Sequence, residues 1–596
     1  VTTAPFSPRS APDERISVMR LMWRLFTYRP GLFLVNVLLW AGFHTLPLAF
    51  GYYAARLFDH LEANAITAAW AALALFGVAR AGRFAVFAIA FRTWVRIWYM
   101  LDALVRRNLL GYLLTARGSR RLPDTPAEAV SRFRDDVAEV AAYTEFFVDG
   151  SGILLYAVIA VALLWRVDPV VTIVVCVPMI LMVLLVRRLS PTIRAYRRRS
   201  REATGRVTDF IGESFAAVQT VKLAAREEHL TRHLEKLGEV RRHAALRDVL
   251  LTELIKSVNT NMVTLATGLV LLLAAAKFRT GAFTIGDFAL FAAYLPRLAN
   301  SMGFFGNMFA QHRRTGVSFE RMQRLTQDAP VEALVAHTPL HLTDEPPAPP
   351  PPPRRETLRE LRVEGLTAVY ENGRGVHDVR FTVQRGEFVV VTGRIGSGKT
   401  TLVRALLGLI PAQAGRVWWN GQLVADPATF FVPPRSAYTA QLPQLFSETL
   451  RENVLHGEHE TRLERAMELS VLRSDVGQLE LGLDTLVGAR GVKLSGGQVS
   501  RSAAARMFAR DAELLVFDDL SSALDVETER RLWEGVFEHL GATCLVVSHR
   551  RAALLRADRV VLLHEGRVVD EGRLGDLLER NEEMRALWVD GDAPEA

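Results

Sequence analysis

Six long apolar runs organise the first half of the chain: residues 31–55, 64–79, 150–165, 169–186, 257–276 and 288–311. They are free of Asp, Glu, Lys and Arg except for Arg297 in the last. A hydrocarbon core of about 30 Å is crossed by about 20 helical residues, so the pattern predicts six membrane-spanning helices. Any one run is equally compatible with a buried helix of a soluble core; six of them within 280 residues are not. About 70 residues separate the second run from the third, and the fourth from the fifth, and both stretches read as helical with few breakers. Structureless loops of that length are rare, so long helices projecting beyond the bilayer are predicted instead. Residues 13–28 set Ile16, Met19, Leu21, Met22, Trp23, Leu25 and Phe26 among arginines. That spacing predicts an amphipathic helix lying at the membrane interface.

The pattern then changes. Residues 346–353 are seven prolines and one alanine, a stiff stretch that cannot join a packed core. Beyond residue 357, short apolar strands alternate with helices, as in an α/β fold. The expected division is a membrane domain over 1–328, a Pro-rich linker over 329–356 and an α/β domain over 357–596. Composition agrees: among 596 residues, 50% are hydrophobic, and the mean hydropathy is +0.14. Two cysteines, Cys176 in an apolar run and Cys544 in a Val-rich strand, exclude a disulfide framework or a Cys-based metal site. Collagen-like and disordered classes are excluded as well.

The net charge of +8 admits nucleic acid, an anionic membrane surface, or the cytoplasmic excess of a membrane protein. Its placement favours the last. Arg15, Arg20, Arg24 and Arg29 precede the first run, and dense arginines follow the second and fourth runs, whereas the other connections are short and poor in basic residues. The positive-inside rule therefore puts both termini in the cytoplasm of a plasma (inner) membrane. Neither a signal-peptide pattern nor a Cys–His peptidase segment precedes the first run, so a cleaved leader and a leader-cleaving peptide exporter are not expected. Arg80, Arg83 and Arg297, with Asn300 and Asn307 nearby, fall within predicted spans. Charge at that depth must face protein or a wet cavity, so these five residues are candidates for a substrate pathway that favours an acidic group. Interhelical pairing or snorkelling is the alternative.

The chemistry lies in the second half. The strand 388–392 is followed by Gly393-Arg394-Ile395-Gly396-Ser397-Gly398-Lys399-Thr400 and then an apolar helix. This is a phosphate-binding loop in its required context. Its glycines let backbone amides wrap phosphates, the helix start adds positive potential, Lys399 is expected to reach the β- and γ-phosphates, and Thr400 to ligate Mg²⁺. A second apolar strand, 514–518, ends in Asp518, placed to hold Mg²⁺ directly or through water. Between them stands Leu494-Ser495-Gly496-Gly497-Gln498, where Ser495 and the two glycine amides form another anion-binding surface at a helix start.

In these five residues, in register between the other two motifs, the sequence closely resembles the ATP-binding cassette (ABC) family, whose signature they match. With six predicted spans ahead of the cassette, the chain resembles an exporter-type half-transporter: a membrane α-helical bundle followed by an α/β P-loop NTPase. The resemblance covers nearly everything except the Pro-rich linker. It implies that Tyr370 stacks on adenine and that Gln441 touches Mg²⁺ and senses the membrane domain. It also implies that residues 521–525, with Asp525, cross to a partner cassette and that His549 contacts the γ-phosphate. Residues 123–137 and 212–222 are implied to lie near coupling helices. The nucleotide-binding set is then Tyr370, Gly393, Arg394, Gly396, Ser397, Gly398, Lys399, Thr400 and Thr401; the Mg²⁺ set is Thr400, Gln441 and Asp518; the catalytic set is Asp519, His549 and Gln441.

Two residues depart from the family pattern. Asp519 stands where the family usually has Glu as the base that orients or deprotonates water, and Ala489 stands where exporters commonly have Glu. Asp is one methylene shorter, and a displacement of about 1 Å in a catalytic group can lower the rate on the order of 10²-fold. The site should hold ATP but hydrolyse it slowly. In this family each ATP sits between one subunit's phosphate loop and the other's signature. An intact signature beside a weakened base therefore favours a heterodimer over a slow homodimer. The leading expectation is an ATP-driven exporter subunit of a bacterial plasma membrane, using ATP and Mg²⁺ and moving amphipathic small molecules, lipids or peptides, with membrane lipids as neighbours and no nucleic-acid partner. The alternatives are an ATP-gated channel or regulator with little hydrolysis, a fused importer of iron chelators, and a soluble cassette acting on DNA or ribosomes.

Overall fold

The computed structural model describes the chain apart from residues 1–16, 116–117, 119–122, 124, 279–282, 328, 343, 346, 348–354, 489–491, 521–523 and 591–596. It forms two compact units, Val1–Leu114 with Leu122–Leu342, and Thr115–Arg121 with Thr343–Ala596.

The first unit is helical among the described residues: α1 (Val18–Phe26), α2 (Pro30–Glu62), α3 (Ile66–Thr115), α4 (Pro126–Ser131), α5 (Val137–Val167), α6 (Pro169–Ala216), α7 (Val218–Leu223), α8 (Glu227–Phe278) and α9 (Ile285–Thr326). A π-helical turn, Arg132–Asp136, joins α4 to α5. Three stretches, Pro30–Glu62, Ile66–Thr115 and Pro126–Val167, are long and apolar enough to cross a membrane. The last three predicted runs lie within α6, α8 and α9. At 1.5 Å per residue, the 50, 48 and 52 residues of α3, α6 and α8 make rods of roughly 70–80 Å, more than twice a hydrocarbon core. Local chemistry sets their ends. Pro30 occupies the first turn of α2. Asp168 caps α6, its Oδ1 accepting from the amides of Val170 (3.0 Å) and Val171 (3.1 Å). Thr284 and Asp287 close a capping box on α9.

The structure gives the amphipathic α1 a different use from the one its pattern suggests. Its apolar face, Val18, Leu21, Met22, Leu25 and Phe26, is buried in one cluster with Ile97, Leu101 and Leu104 of α3, Val140 and Tyr143 of α5 and Phe319 and Met322 of α9. Met19 and Trp23 are left on the exposed side. An amphipathic stripe needs an apolar partner, and here protein supplies it. The same cluster takes in Leu334 and Val335 of the 3₁₀ turn Val331–Val335. Asn108 Nδ2 donates to the carbonyls of Leu334 (3.0 Å) and Ala336 (2.9 Å), tying that segment to α3.

The second unit holds β1 (Glu360–Val369), β2 (Gly375–Gln384), β3 (Phe388–Thr392), α10 (Lys399–Leu406), β4 (Ala414–Trp419), β5 (Gln422–Leu423), β6 (Ser436–Thr439), α11 (Gly496–Phe508), β7 (Leu514–Asp518), α12 (Val526–Leu540), β8 (Thr543–Val547), β9 (Arg559–His564) and β10 (Arg567–Gly572), with shorter helices between them. An antiparallel sheet runs β2-β1-β4-β5 and a larger sheet β10-β9-β3-β8-β7-β6. In the larger sheet β9, β3, β8, β7 and β6 are parallel. Every residue of β3, β7 and β8 is buried, as a parallel sheet covered on both faces requires. Alternation along β3 divides the core. Val389 and Val391 pack with Leu402 and Leu406 of α10, while Phe388 and Val390 pack with Ala504 of α11 and Trp533 of α12.

Because α1 is held by protein contacts, Leu25→Ala should destabilise the chain by about 2–5 kcal/mol and lower the thermal unfolding midpoint in detergent and bilayer alike. Trp23→Ala, on the exposed side of the same helix, should shift the detergent midpoint far less. Thermal unfolding monitored by fluorescence in both media checks this.

Candidate functional site

Strand register builds the site. Val391 of β3 and Asp518 of β7 both pair with Val547 of β8, so β3 and β7 end level with each other with one strand between them. The loop after β3 turns into α10 through residues that only glycine accommodates. Gly398 has φ +100°, and a Cβ there would lie 2.9 Å from the Gly375 carbonyl oxygen; at Gly393 it would lie 2.1 Å from that of Leu563. Lys399 Nζ folds back on the loop, donating to the carbonyls of Gly393 (2.7 Å) and Arg394 (2.9 Å). Burial pulls the Lys399 ammonium down from its usual pKa, with Asp519 and Asp518 opposing. Arg394 is held by Glu583, Nε to Oε1 at 2.7 Å and Nη2 to Oε2 at 3.2 Å. Ser397 Oγ is buried without a hydrogen-bond partner. Thr400 and Thr401 stand in the first turn of α10.

The two strand ends meet through oxygen atoms. Thr400 Oγ1 donates to Asp518 Oδ1 at 2.8 Å, and Tyr438 OH of β6 donates to Asp518 Oδ2 at 3.1 Å. Arg404 of α10 bonds the Tyr438 hydroxyl in turn, and burial, then the neighbouring Asp518, pushes that phenol up to about 12. Asp519 has φ +51°, unusual for a residue with a side chain. Its amide donates to the Val547 carbonyl at 3.0 Å. Its Oδ2 accepts from Gln441 Nε2 at 3.2 Å, and His549 Nδ1 lies 3.9 Å from Oδ1. Burial raises the Asp519 carboxyl above the usual range; His549 opposes this and Asp518 adds to it. The cradle glycines, the unpartnered Ser397 hydroxyl and the paired hard oxygens of Thr400 and Asp518 suit a Mg²⁺-bearing phosphate chain.

The other predicted residues divide. Ser495 caps α11 in a capping box with Gln498 (2.9 and 3.3 Å), with Gly496 and Gly497 in its first turn and Leu494 packed against the core. Beneath them Arg501 makes a two-pronged ion pair with Asp475 at 2.6 and 2.9 Å. Among the described residues, no hydrogen bond or ion pair joins Leu494–Gln498 to the phosphate loop. Asp525 caps α12, accepting from the amide (2.9 Å) and hydroxyl (2.7 Å) of Thr528. Tyr370 is exposed at the end of β1. Residues 521–523 of the predicted crossing loop, and Ala489, lie outside the described residues.

In the helical unit, Arg80 lies over the rings of Phe50 (5.2 Å) and Phe76 (5.9 Å), and Arg83 over Phe43 (4.2 Å). Arg297 Nη2 is 3.2 Å from His44 Nδ1, and His44 Nε2 is 3.1 Å from Asp149 Oδ1. That chain links α9, α2 and α5. Asn300 and Asn307 are exposed. Sequence reading missed His44, Asp149, Tyr438 and Glu583. His44 stood inside the first apolar run, and a cation in a span calls for such a partner.

Comparison with known proteins agrees with this geometry. Residues 33–302 match the family model of the ABC transporter transmembrane region, and residues 376–522 match that of the ABC transporter. The chain belongs to the ABC transporter family. It is a multi-pass membrane protein with an ATP-hydrolysing cassette fused to its membrane domain. This ABC transporter is 29% identical over 427 residues to an ATP-dependent lipid A-core flippase of Ralstonia nicotianae, covering 70% of this chain and 69% of that one. It is 38% identical over 204 residues, 34% of each chain, to a protein of the same description from Burkholderia orbicola. Its fold is that of a bacterial Atm1-family ABC exporter solved with ATP bound, with a TM-score of 0.71 at 21% identity, covering 96% of this chain and 99% of that one.

Removing the hydroxyl that steadies Asp518 tests the oxygen cluster. Tyr438→Phe should raise the Mg²⁺ concentration needed for half-maximal nucleotide retention several-fold, about 1 kcal/mol, while Mg²⁺-free binding stays unchanged. Titrating Mg²⁺ against a fluorescent ATP analogue measures both.

Proposed function

We propose that this chain is one half of an ATP-driven exporter of lipids or similar amphipathic molecules, with six spans and both termini in the cytoplasm. What supports the reading most is a single feature of the cassette. It carries a complete phosphate loop and a complete signature that share no hydrogen bond or ion pair among the described residues. A composite site therefore needs a second cassette, and the membrane domain needs a second bundle.

Within that site the residues divide the work. Lys399 exchanges its two loop carbonyls for the β- and γ-phosphate oxygens of ATP, while the amides around Gly396 and Gly398 bind the phosphate chain and Tyr370 the adenine. Thr400, Asp518 and Gln441 would hold Mg²⁺, which would neutralise charge on the phosphates. Asp519 orients the attacking water, and His549 faces the γ-phosphate. The partner's signature closes over the nucleotide, with Asp525 at the crossing. ATP drives the cycle because it binds the closed cassette pair more tightly than the open one. The short Asp519 makes this site the slow one and favours a heterodimer, in which Leu494, Ser495, Gly496, Gly497 and Gln498 complete the partner's faster site.

For cargo, Arg80 and Arg83 stand three residues apart on α3, and Arg297 lies in the last predicted span. Cations at such depth suit an acidic headgroup, in keeping with the flippase relatives. Asp519 also favours a second reading, a nucleotide-gated channel or regulator that scarcely hydrolyses.

Turnover separates the two. Asp519→Glu should raise ATP hydrolysis by the chain alone on the order of tenfold or more, and proteoliposomes should then move a fluorescent phospholipid between leaflets. Hydrolysis that stays absent in every assembly, with Glu and with a partner half, would establish the regulator.

A further inference from the structure

Between the stems of α6 and α8 lies a half-open cavity. It has a volume of about 370 Å³, within the range of small-ligand sites. Along α6 its lining falls at residues 196, 199, 203 and 206, and along α8 at 240, 243, 244 and 247. These are the spacings of the two stripes by which paired helices face each other, positions that ordinarily carry packed apolar side chains. Here the centre is Ala203 and Ala244, too small to fill the gap, and the rim is Arg199, Arg206 and Arg247. Among the described residues none of these three arginines has an ion-pair partner, whereas neighbours off the stripe do: Arg197 with Asp248 (3.9 Å) and Arg198 with Glu202 (3.2 Å). Glu202, the one carboxylate in the lining, is thus engaged elsewhere. Tyr196 and His243 supply a ring and a further donor.

We propose that this cavity binds a small, soluble, multiply charged anion, a phosphoester or a polycarboxylate. Three guanidinium forks lining one half-open cavity match such oxyanions. Depth selects a soluble ligand over a lipid headgroup. The apolar run of α6 ends at residue 186 and that of α8 begins at residue 257. At 1.5 Å per residue the lining then lies roughly 15–30 Å beyond the hydrocarbon edge, whereas the headgroup layer is only about 5–8 Å thick. The depth argument rests on the six-span reading above; the cavity and its charges do not.

Calorimetry on the full chain in phosphatidylcholine nanodiscs tests the site. A Lys399→Ala background silences the cassette, and inorganic pyrophosphate and citrate are titrated separately. At least one should bind saturably with one site per chain. Arg199→Ala, Arg206→Ala and Arg247→Ala, at exposed positions, should each weaken it about tenfold. Ala244→Leu, which narrows the cavity at its centre without changing charge, should weaken binding about tenfold or more while ATP retention in the Lys399 protein is unaffected. No saturable binding, or binding indifferent to Ala244→Leu, would overturn the proposal. So would competition by anionic lipid doped into the nanodisc, which would assign the arginines to headgroups. Any of these results, with ATP hydrolysis intact in the protein that keeps Lys399, would leave the exporter reading standing.

Discussion

The chemistry of the cassette depends on two parallel strands, β3 and β7, ending at the same level on either side of β8. The register Val391–Val547–Asp518 brings a flexible glycine loop and a rigid carboxylate to one edge of the sheet, where Thr400 and Asp518 bond directly at 2.8 Å. Shifting either strand by one residue would turn its buried side chains to the opposite face, and both faces of this sheet are packed. The hydrophobic core therefore enforces the catalytic geometry. Trp533 stacks edge-on against both Phe388 and Phe517, clamping β3 and β7 from one side, while Leu402 and Leu406 of α10 press on the other.

The membrane unit obeys a different constraint, that of charge in an apolar medium. Arg297, His44 and Asp149 form one chain across α9, α2 and α5. Gly152 is what lets it form: a Cβ there would lie 2.8 Å from the His44 ring. Each charge in that chain is offset by a neighbour on a different helix, so relative motion of α2, α5 and α9 must break or exchange these contacts. A bundle that alternates between two arrangements can use such polar links as its stops, because they exist in one packing and not in the other.

Much of this was legible because it is local. Six apolar runs, a glycine loop between strand and helix, and a capping Ser495 with Gln498 three residues on are patterns that the neighbouring sequence defines. What was illegible comes from residues far apart in the chain. His44 meets Asp149 across 105 positions, Tyr438 meets Asp518 across 80, and Arg394 meets Glu583 across 189. Nothing in the residue types announces those pairs. The amphipathic α1 shows a further limit. Its pattern reports that one face needs an apolar cover, but whether lipid or protein provides that cover depends on helices that arrive from the far end of the unit.

On the proposed reading of Asp519 as the base, the fold leaves its one missing methylene uncompensated. A shorter side chain could be rescued if its backbone moved toward the nucleotide. Here it is pinned. The Asp519 amide is bonded to the Val547 carbonyl at 3.0 Å, its φ of +51° places it in a narrow well, and the next residue, Leu520, is buried in the core. Leaving that well would break a sheet-edge hydrogen bond and unseat a core side chain, several kcal/mol in all. The carboxylate must act from where it stands, about 1.5 Å short of a glutamate's reach. Gln441 and His549 already engage it there, a polar arrangement that adds to its hold on that position. The heterodimer proposed above follows from this constraint: with Asp519 fixed in place, a longer base would have to come from a partner cassette.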